Sequence, residues 1–111
     1  YVRRAVEFIQ NNYCTPIQVT DVADYVCVNR SYLYTLFREE LGASPQEYLA
    51  NYRLTRAAEL LLITDFSVES VALSCGYRDP LVFSKAFKEK NGVPPSRYRR
   101  MRIEQKQAQK S

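Results

Sequence analysis

The stretch VESVALSCGYRDPLVFSKAFKEKNGVPPSRY at residues 68–98 repeats, with changes, the stretch VTDVADYVCVNRSYLYTLFREELGASPQEY at residues 19–48. Each copy opens with four apolar residues spaced i, i+3, i+4 and i+7, and the two sets lie 49 residues apart. The paired positions are Val19 and Val68, Val22 and Val71, Ala23 and Ala72, and Val26 and Cys75. Because this spacing places four side chains on one face of an α-helix, we expect a short amphipathic helix at the start of each copy.

The later part of each copy predicts a second helix after a short turn. Four further residue pairs lie 50 residues apart, so the second copy has one residue inserted between Cys75 and Phe83. These pairs are Phe37 and Phe87, Gly42 and Gly92, Pro45 and Pro95, and Tyr48 and Tyr98. Asn29 and Asp79 suit the N-caps of the second helices, and Pro80 suits a first helical position. Both glycines can take the left-handed conformation that ends a helix.

The rest of the chain is also expected to be helical. A stripe on a first helix is formed by Val2, Ala5, Val6, Ile9 and Tyr13. Residues 45–63 are expected to form one long connecting helix whose apolar direction drifts along its length. The β-branched residues occur at helical spacings, which argues against strands. We therefore predict an all-α fold with a first helix-turn-helix lobe at residues 1–44, the connecting helix, a second such lobe at 64–100 and a polar, basic, disordered tail at 101–111.

The charge of the chain is unevenly distributed. Residues 1–77 carry 6 Lys or Arg and 9 Asp or Glu, whereas residues 78–111 carry 10 and 3. The basic C-terminal third favours a polyanion such as nucleic acid, although a solubilising tail would also account for Lys106 and Lys110. The chain has no run of 18 uncharged apolar residues and no pattern of a secretory signal. These features predict a cytoplasmic protein without a membrane span.

Composition argues against most enzyme classes. The chain contains no histidine, which is the usual general base and the commonest zinc ligand. The spacing of Cys14, Cys27 and Cys75 matches neither a metal site nor a disulfide framework. Glu39 and Glu40 are adjacent on a helix and point about 100° apart, so they do not converge on a substrate. We therefore expect no catalytic residues, no metal and no cofactor.

The second helix of each copy has an outer stripe of side chains suited to DNA. In the first copy this stripe is Ser31, Tyr34, Thr35 and Arg38, preceded by Arg30, and in the second it is Leu81, Ser84, Lys85 and Lys88. Arg and Lys donate to guanine, hydroxyl groups serve as donor or acceptor, and an apolar side chain meets a thymine methyl group. An ordinary solvated helix face is the alternative, but parallel stripes in two copies favour recognition. Whether Tyr34 contacts a base or packs against a neighbouring helix remains open.

Residues near the helix starts are candidates for phosphate contacts. Backbone amides beside Asn29 and Asp79 lie at the positive ends of helix dipoles, and Arg78 directly precedes the second of these helices. Lys88 is a further candidate. Two reading helices enter successive major grooves if they lie about 34 Å apart or if the DNA bends. The alternative is a protein-interaction module that uses the acidic balance of residues 1–77, for example toward RNA polymerase.

The segment YRLTRAAELLLITDFSVESVALSCGYRDPLVFSKAFKEKNGVPPSRYRR, residues 52–100, resembles the signature of the AraC/XylS family of bacterial transcription regulators. The similarity extends over roughly residues 2–100. It implies seven helices, two helix-turn-helix lobes joined by a long helix, and sequence-specific control of promoters. The base-contacting positions that it implies are Ser31, Tyr34, Thr35, Pro80, Leu81, Ser84 and Lys85. Proline and leucine at positions 80 and 81 depart from the polar residues of some members, so hydrogen-bonded readout there would depend on Ser84 and Lys85.

The resemblance also implies a larger protein. Members of the family usually carry this module at the C-terminal end, behind a domain that senses a small molecule or mediates dimerisation. The chain is therefore expected to be the C-terminal fragment of an effector-responsive regulator.

Overall fold

A computed structural model describes the backbone of residues 1–110 and the side chains of residues 1–105. Regular secondary structure in this described part is helical throughout, which confirms the predicted all-α class. The seven helices are α1 (Val2–Asn12), α2 (Val19–Tyr25), α3 (Arg30–Leu41), α4 (Pro45–Ile63), α5 (Val68–Ser74), α6 (Pro80–Asn91) and α7 (Pro95–Lys110). The two repeat copies correspond to α2 with α3 and to α5 with α6.

The helices form two compact units that meet inside α4. Unit 1 comprises Tyr1–Arg53 and unit 2 begins at Leu54. Residues 45–63 were expected to form one connecting helix between the lobes, and α4 has these bounds. Its first half contributes Leu49 to the core of unit 1, while Leu54 and Leu61 are buried in its second half. The drift of the apolar direction along this helix has its physical basis in that change of burial.

The core of unit 1 is formed by the apolar faces of the first three helices and the start of α4. Its buried members are Val2, Ala5, Ile9, Val22, Ala23, Val26, Leu33, Phe37 and Leu49. The ring of Phe37 lies edge-on to that of Tyr48, with centroids 5.9 Å apart. Leu41 continues the apolar spacing of Leu33 and Phe37 along α3 but is 43% exposed. It is the last residue of α3, and the chain leaves the helix at Gly42.

Phenylalanine and tyrosine rings contact one another in unit 2. Phe83 and Phe87 on α6 are fully buried, and their ring centroids lie 5.7 Å apart. Phe87 also meets Tyr98 of α7 edge-on at 5.2 Å, and Phe83 meets Tyr77 at 5.3 Å. The edge-to-face contact of Phe87 with Tyr98 matches that of Phe37 with Tyr48 in unit 1, as the sequence repeat predicts. Cys75, the last of the four apolar positions at the start of the second copy, is fully buried.

The helix ends carry the predicted capping groups. Asn29 accepts a hydrogen bond from the amide of Tyr32 (2.8 Å), and Asp79 accepts one from the amide of Leu81 (2.9 Å). Each cap satisfies a backbone donor that has no partner within its helix. Gly42 and Gly92 end α3 and α6 with φ of 71° and 82°. These left-handed conformations confirm the predicted helix ends.

The turn between the two helices of each copy is closed in the same way. Cys27 and Gly76 occupy equivalent positions and have φ of 62° and 90°. The next amide donates to the alanine carbonyl five residues earlier, from Val28 to Ala23 at 3.1 Å and from Tyr77 to Ala72 at 2.9 Å. A cysteine in this conformation is less favourable than a glycine because its Cβ crowds the backbone.

Two arginines bind backbone carbonyls at helix ends. The guanidinium of Arg53 donates to the carbonyls of Tyr13 (3.0 Å) and Thr15 (2.8 Å) just after α1. Arg99 donates to the carbonyls of Leu61 (2.8 Å) and Thr64 (3.3 Å) at the end of α4. Positive groups at these sites satisfy carbonyls that lack helical partners and oppose the negative end of the helix dipole.

The C-terminal segment differs from the prediction. We expected a disordered tail from residue 101, whereas α7 continues to Lys110. The segment MRIEQKQAQK contains neither glycine nor proline and consists mainly of good helix formers, which is the local reason for this continuation. Ser111 lies outside the described residues.

Candidate nucleic-acid interface

The predicted reading side chains of α3 share one outer face. Arg30, Ser31, Tyr34, Thr35 and Arg38 are all exposed, whereas Leu33 and Phe37 of the same helix are fully buried. The helical period places these two sets on different sides of α3. The predicted first-copy residues are therefore brought together on one accessible surface.

This surface borders a groove of about 620 Å³. Its walls are formed by Val19 of α2, Arg30, Ser31, Tyr34 and Thr35 of α3, and Ser44, Pro45 and Gln46 at the start of α4. The sequence did not indicate the residues from α2 and α4. The segment SPQE at residues 44–47 is a capping pattern, which signals a helix start but not its place beside α3.

Thr35 and Asn29 each use one hydrogen-bonding group within α3 and keep another available for a ligand. Thr35 Oγ1 donates to the carbonyl of Ser31 at 3.1 Å, so the Thr35 oxygen remains available as an acceptor. Asn29, a predicted phosphate contact, is exposed, but its carbonyl oxygen is engaged in the cap of α3. Its amide group remains a donor.

The guanidinium group of Arg38 contacts several other groups of unit 1. Its Nε donates to the hydroxyl of Tyr34 at 3.3 Å, and its carbon Cζ lies 5.6 Å from the centre of that ring. Its remaining nitrogens approach Glu47 Oε1 (3.5 Å) and the carbonyl of Gly42 (3.4 Å). The hydrogen bond to Tyr34 and the charge of Glu47 raise the pKa of Arg38. The guanidinium is thus directed toward three groups of its own unit.

The predicted residues of α6 also lie at its accessible surface, with two exceptions. Leu81 is 80% exposed, and Lys85 and Lys88 are exposed as well. Pro80 and Ser84 are half-buried. Because Ser84 is half-buried, its hydroxyl is less accessible to a ligand than the side chains of Leu81 and Lys85.

The cations of unit 2 near α6 are available to a partner. Arg78, Lys85 and Lys88 are exposed, and none of them forms an ion pair with another residue whose side chain is described. Lys90 differs, since its Nζ donates to Thr55 Oγ1 at 2.8 Å and burial lowers its pKa. Three exposed cations without an ion pair among the described side chains therefore lie at the start and along the outer stripe of α6.

Among the residues with described side chains, histidine, cysteine and acidic groups form no cluster of three that could hold a metal ion. No described helix is both long and apolar enough to span a bilayer.

Comparison with known proteins identifies the family. A family model described as a helix-turn-helix domain matches residues 22–101. A transcriptional regulator from Chromobacterium violaceum, described as having an AraC-type DNA-binding domain, superposes with a TM-score of 0.82 at 33% identity, covering 90% of this chain and 89% of that one. The chain belongs to the AraC/XylS family. The resemblance seen in residues 52–100 is thereby confirmed, together with the helix-turn-helix module.

Two further proteins show how the AraC/XylS module occurs elsewhere. The raffinose operon transcriptional regulatory protein RafR of Pediococcus pentosaceus is 44% identical over 96 residues, which are 86% of this chain and 35% of RafR. The DNA-binding domain of AdpA, described as a global transcriptional factor and solved with a target DNA, has a TM-score of 0.84 at 28% identity and 87% coverage of each chain. The chain therefore spans about a third of the length of this curated relative.

Proposed function

We propose that this chain binds duplex DNA sequence-specifically and regulates transcription from bacterial promoters, with α3 and α6 as its reading helices. One observation carries the proposal: each repeat copy presents a helix with a buried inner stripe and an exposed outer stripe of base-reading side chains. The dimensions of the B-DNA major groove admit such a helix, and each base pair presents a distinct pattern there. The DNA complex of AdpA supports the same ligand.

In this proposal α3 reads through mixed polar chemistry. Arg30 donates to guanine O6 and N7 or to a phosphate, depending on how deeply the helix enters the groove. Ser31 contributes a hydroxyl that donates or accepts. Thr35 serves as an acceptor and offers its methyl group to thymine, because its proton is used within the helix. Tyr34 adds a hydroxyl at the centre of the stripe.

The second reading helix combines an apolar and a cationic contact. Leu81 is the most exposed large hydrophobic residue of the described chain, and a thymine methyl group is its natural partner. Lys85 lies one turn further along the outer stripe and donates to guanine. Pro80 favours the start of the helix through its fixed φ. The Ser84 hydroxyl contributes a hydrogen bond where the DNA comes within reach of it.

Phosphate contacts position the reading helices on the duplex. Arg78 and Lys88 flank the base-reading part of α6 and have no ion-pair partner among the described side chains. We assign both to phosphate groups, together with the amide group of Asn29 at the start of α3. Such contacts supply affinity without sequence information.

We further propose that the module operates within a longer cytoplasmic regulator. The chain matches 35% of the length of RafR, which leaves room in such a regulator for a sensing or dimerisation domain on its N-terminal side. RNA polymerase is a second proposed partner, for which the acidic balance of residues 1–77 provides a candidate face.

Selection of bound sequences from a random duplex pool tests the proposed function. We expect enrichment of a site with two short blocks centred about 10 base pairs apart, because the two reading helices then enter successive major grooves. Binding to that site should weaken steeply with salt, by about 0.9 in the slope of log K on log salt for each neutralised phosphate. A pool without enrichment, combined with a flat salt response, would favour the protein-interaction module instead.

A second prediction concerns the apolar contact of α6. Replacing thymine by deoxyuridine removes only the 5-methyl group, so replacement of the thymine that Leu81 contacts should weaken binding about fourfold, in line with about 0.8 kcal/mol per buried methyl group. Leu81→Ala should bind the two duplexes equally. Fluorescence anisotropy with both duplexes measures this difference.

Val82→Ala is the matched control for Leu81→Ala. Val82 is also exposed on α6, at 56%, but lies outside the outer stripe. This variant should keep the parental sensitivity to deoxyuridine. A Leu81→Ala protein that still distinguishes thymine from deoxyuridine would contradict the assigned contact.

A further inference from the structure

We propose that Arg38 is a positioning residue: it holds Tyr34 in the orientation that reads DNA and contacts neither base nor phosphate itself. This inference rests on the proposed function and deepens it by assigning a donor role to the Tyr34 hydroxyl. It also changes the role expected from the sequence, in which Arg38 is a reading residue of the outer stripe.

The contacts of Arg38 carry the first step. Its Nε binds the hydroxyl of Tyr34 at 3.3 Å, and its guanidinium lies 5.6 Å from the centre of the same ring. One terminal nitrogen lies 3.5 Å from Glu47 Oε1, and the other lies 3.4 Å from the carbonyl of Gly42. All three guanidinium nitrogens therefore have partners in unit 1. Turning the guanidinium group toward DNA would break all of these contacts at once.

Electrostatics point in the same direction. Glu47 is the ion-pair partner of Arg38. The side chain of Arg38 is 46% exposed and that of Glu47 is 54% exposed. A carboxylate beside the guanidinium offsets its charge and reduces its attraction to a phosphate. Arg78 and Lys88 of unit 2 form no ion pair with another described side chain. Arg38 is consequently the cation of the two outer stripes least suited to neutralise DNA.

The same contacts determine what Tyr34 can recognise. Its hydroxyl oxygen accepts from Arg38, and the ring is 48% exposed on the outer face of α3. With the oxygen engaged by a cation, the hydroxyl proton is free to point away from Arg38 toward the DNA. Tyr34 is then a donor to base acceptors, such as guanine N7 and O6, adenine N7 or thymine O4. The ordered ring also loses little conformational freedom on binding.

Arginine and lysine variants separate positioning from direct contact. Arg38→Lys keeps the positive charge but lacks both Nε and the planar group that lies over the ring. Arg38→Met keeps the length of the side chain without its charge. Tyr34→Phe removes only the hydroxyl. These three variants and the double variant Arg38→Met with Tyr34→Phe are compared by the ratio of affinities for the selected site and a scrambled duplex, over a series of salt concentrations.

We expect all three single variants to lower this ratio by roughly three- to tenfold, the range of one net hydrogen bond. The double variant should show no further loss, because both changes remove the same oriented hydroxyl. The slope of log K on log salt should stay at the parental value for Arg38→Met. Arg3→Met is the matched control, since Arg3 is an exposed arginine paired with Glu7 on α1, away from the outer stripe. It should leave the ratio unchanged.

Three results would overturn the inference. Parental specificity in Arg38→Lys would show that charge alone is required, and a slope reduced in magnitude by about 0.9 in Arg38→Met would show a phosphate contact. Additive losses in the double variant would show that the two side chains act independently. In each case the parent protein still selects its site, so the proposed function stands. A parent without sequence preference would remove both together.

Discussion

Phe87→Ala should lower the free energy of unfolding by about 3 to 5 kcal/mol, the usual cost of removing a buried phenylalanine. The Phe87 ring is fully buried and contacts the rings of Phe83 and Tyr98. Alanine would leave a cavity bounded by two rigid rings, and a well-packed core closes such a cavity only in part. Urea denaturation followed by circular dichroism measures the change. It should appear as a lower midpoint.

Two variants define the cause of this loss. Phe87→Leu refills part of the space and should recover more than half of the stability. Val82→Ala shortens an exposed side chain on the same helix and should change the free energy by less than about 0.5 kcal/mol. If Phe87→Ala unfolds at the parental urea concentration, the inner stripe of α6 does not form the core of unit 2.

The helices could be predicted from the sequence because their signals are local. Val68, Val71 and Cys75 mark one face of α5 by their spacing alone, and the structure places all three at least half-buried. The glycine and cap positions depend on backbone geometry within a few residues. The repeat carries the same local signals twice, so each helix of one copy supports the prediction of its counterpart in the other.

The pairing of Arg38 with Glu47 could not be predicted in the same way. Arg38 and Tyr34 are four residues apart on one helix, so their contact is open to local reasoning. Glu47 is nine residues away, across the left-handed turn at Gly42 and the cap at Ser44. Its approach to Arg38 depends on the direction in which α4 leaves that turn. If only the residues of α3 are considered, Arg38 is therefore counted as a cation without an ion-pair partner.

The division of the chain inside α4 has a signal in the sequence. The apolar direction of residues 45–63 drifts, which indicated two burial environments but not where one ends. Leu49 and Leu54, five residues apart, are both buried and belong to different units. The position of this change depends on packing against other helices, since Leu49, for example, shares its core with Ile9 of α1 and Val22 of α2, which lie far from it in sequence.

Lys85→Ala should weaken binding to the selected site by about 1 to 3 kcal/mol, or roughly 5- to 150-fold, if Lys85 reads a guanine. The side chain is exposed on the outer stripe of α6 and has no ion-pair partner among the described side chains, so its ammonium group is free to donate to O6 and N7. Preference at a single base pair should relax, while binding to scrambled duplex changes little. Affinities for the selected site and its three single-base alternatives at that position measure this loss.

Lys88→Ala is the matched control, since Lys88 lies three residues further along the same stripe and carries the same charge. As a phosphate contact, it should cost similar affinity on every duplex and reduce the magnitude of the salt slope by about 0.9. Both variants remove one exposed cation from one helix, so any difference between them arises from what each ammonium group meets on the DNA. Equal losses for Lys85→Ala on all four base pairs would place Lys85 on a phosphate and leave Leu81 as the principal base contact of α6.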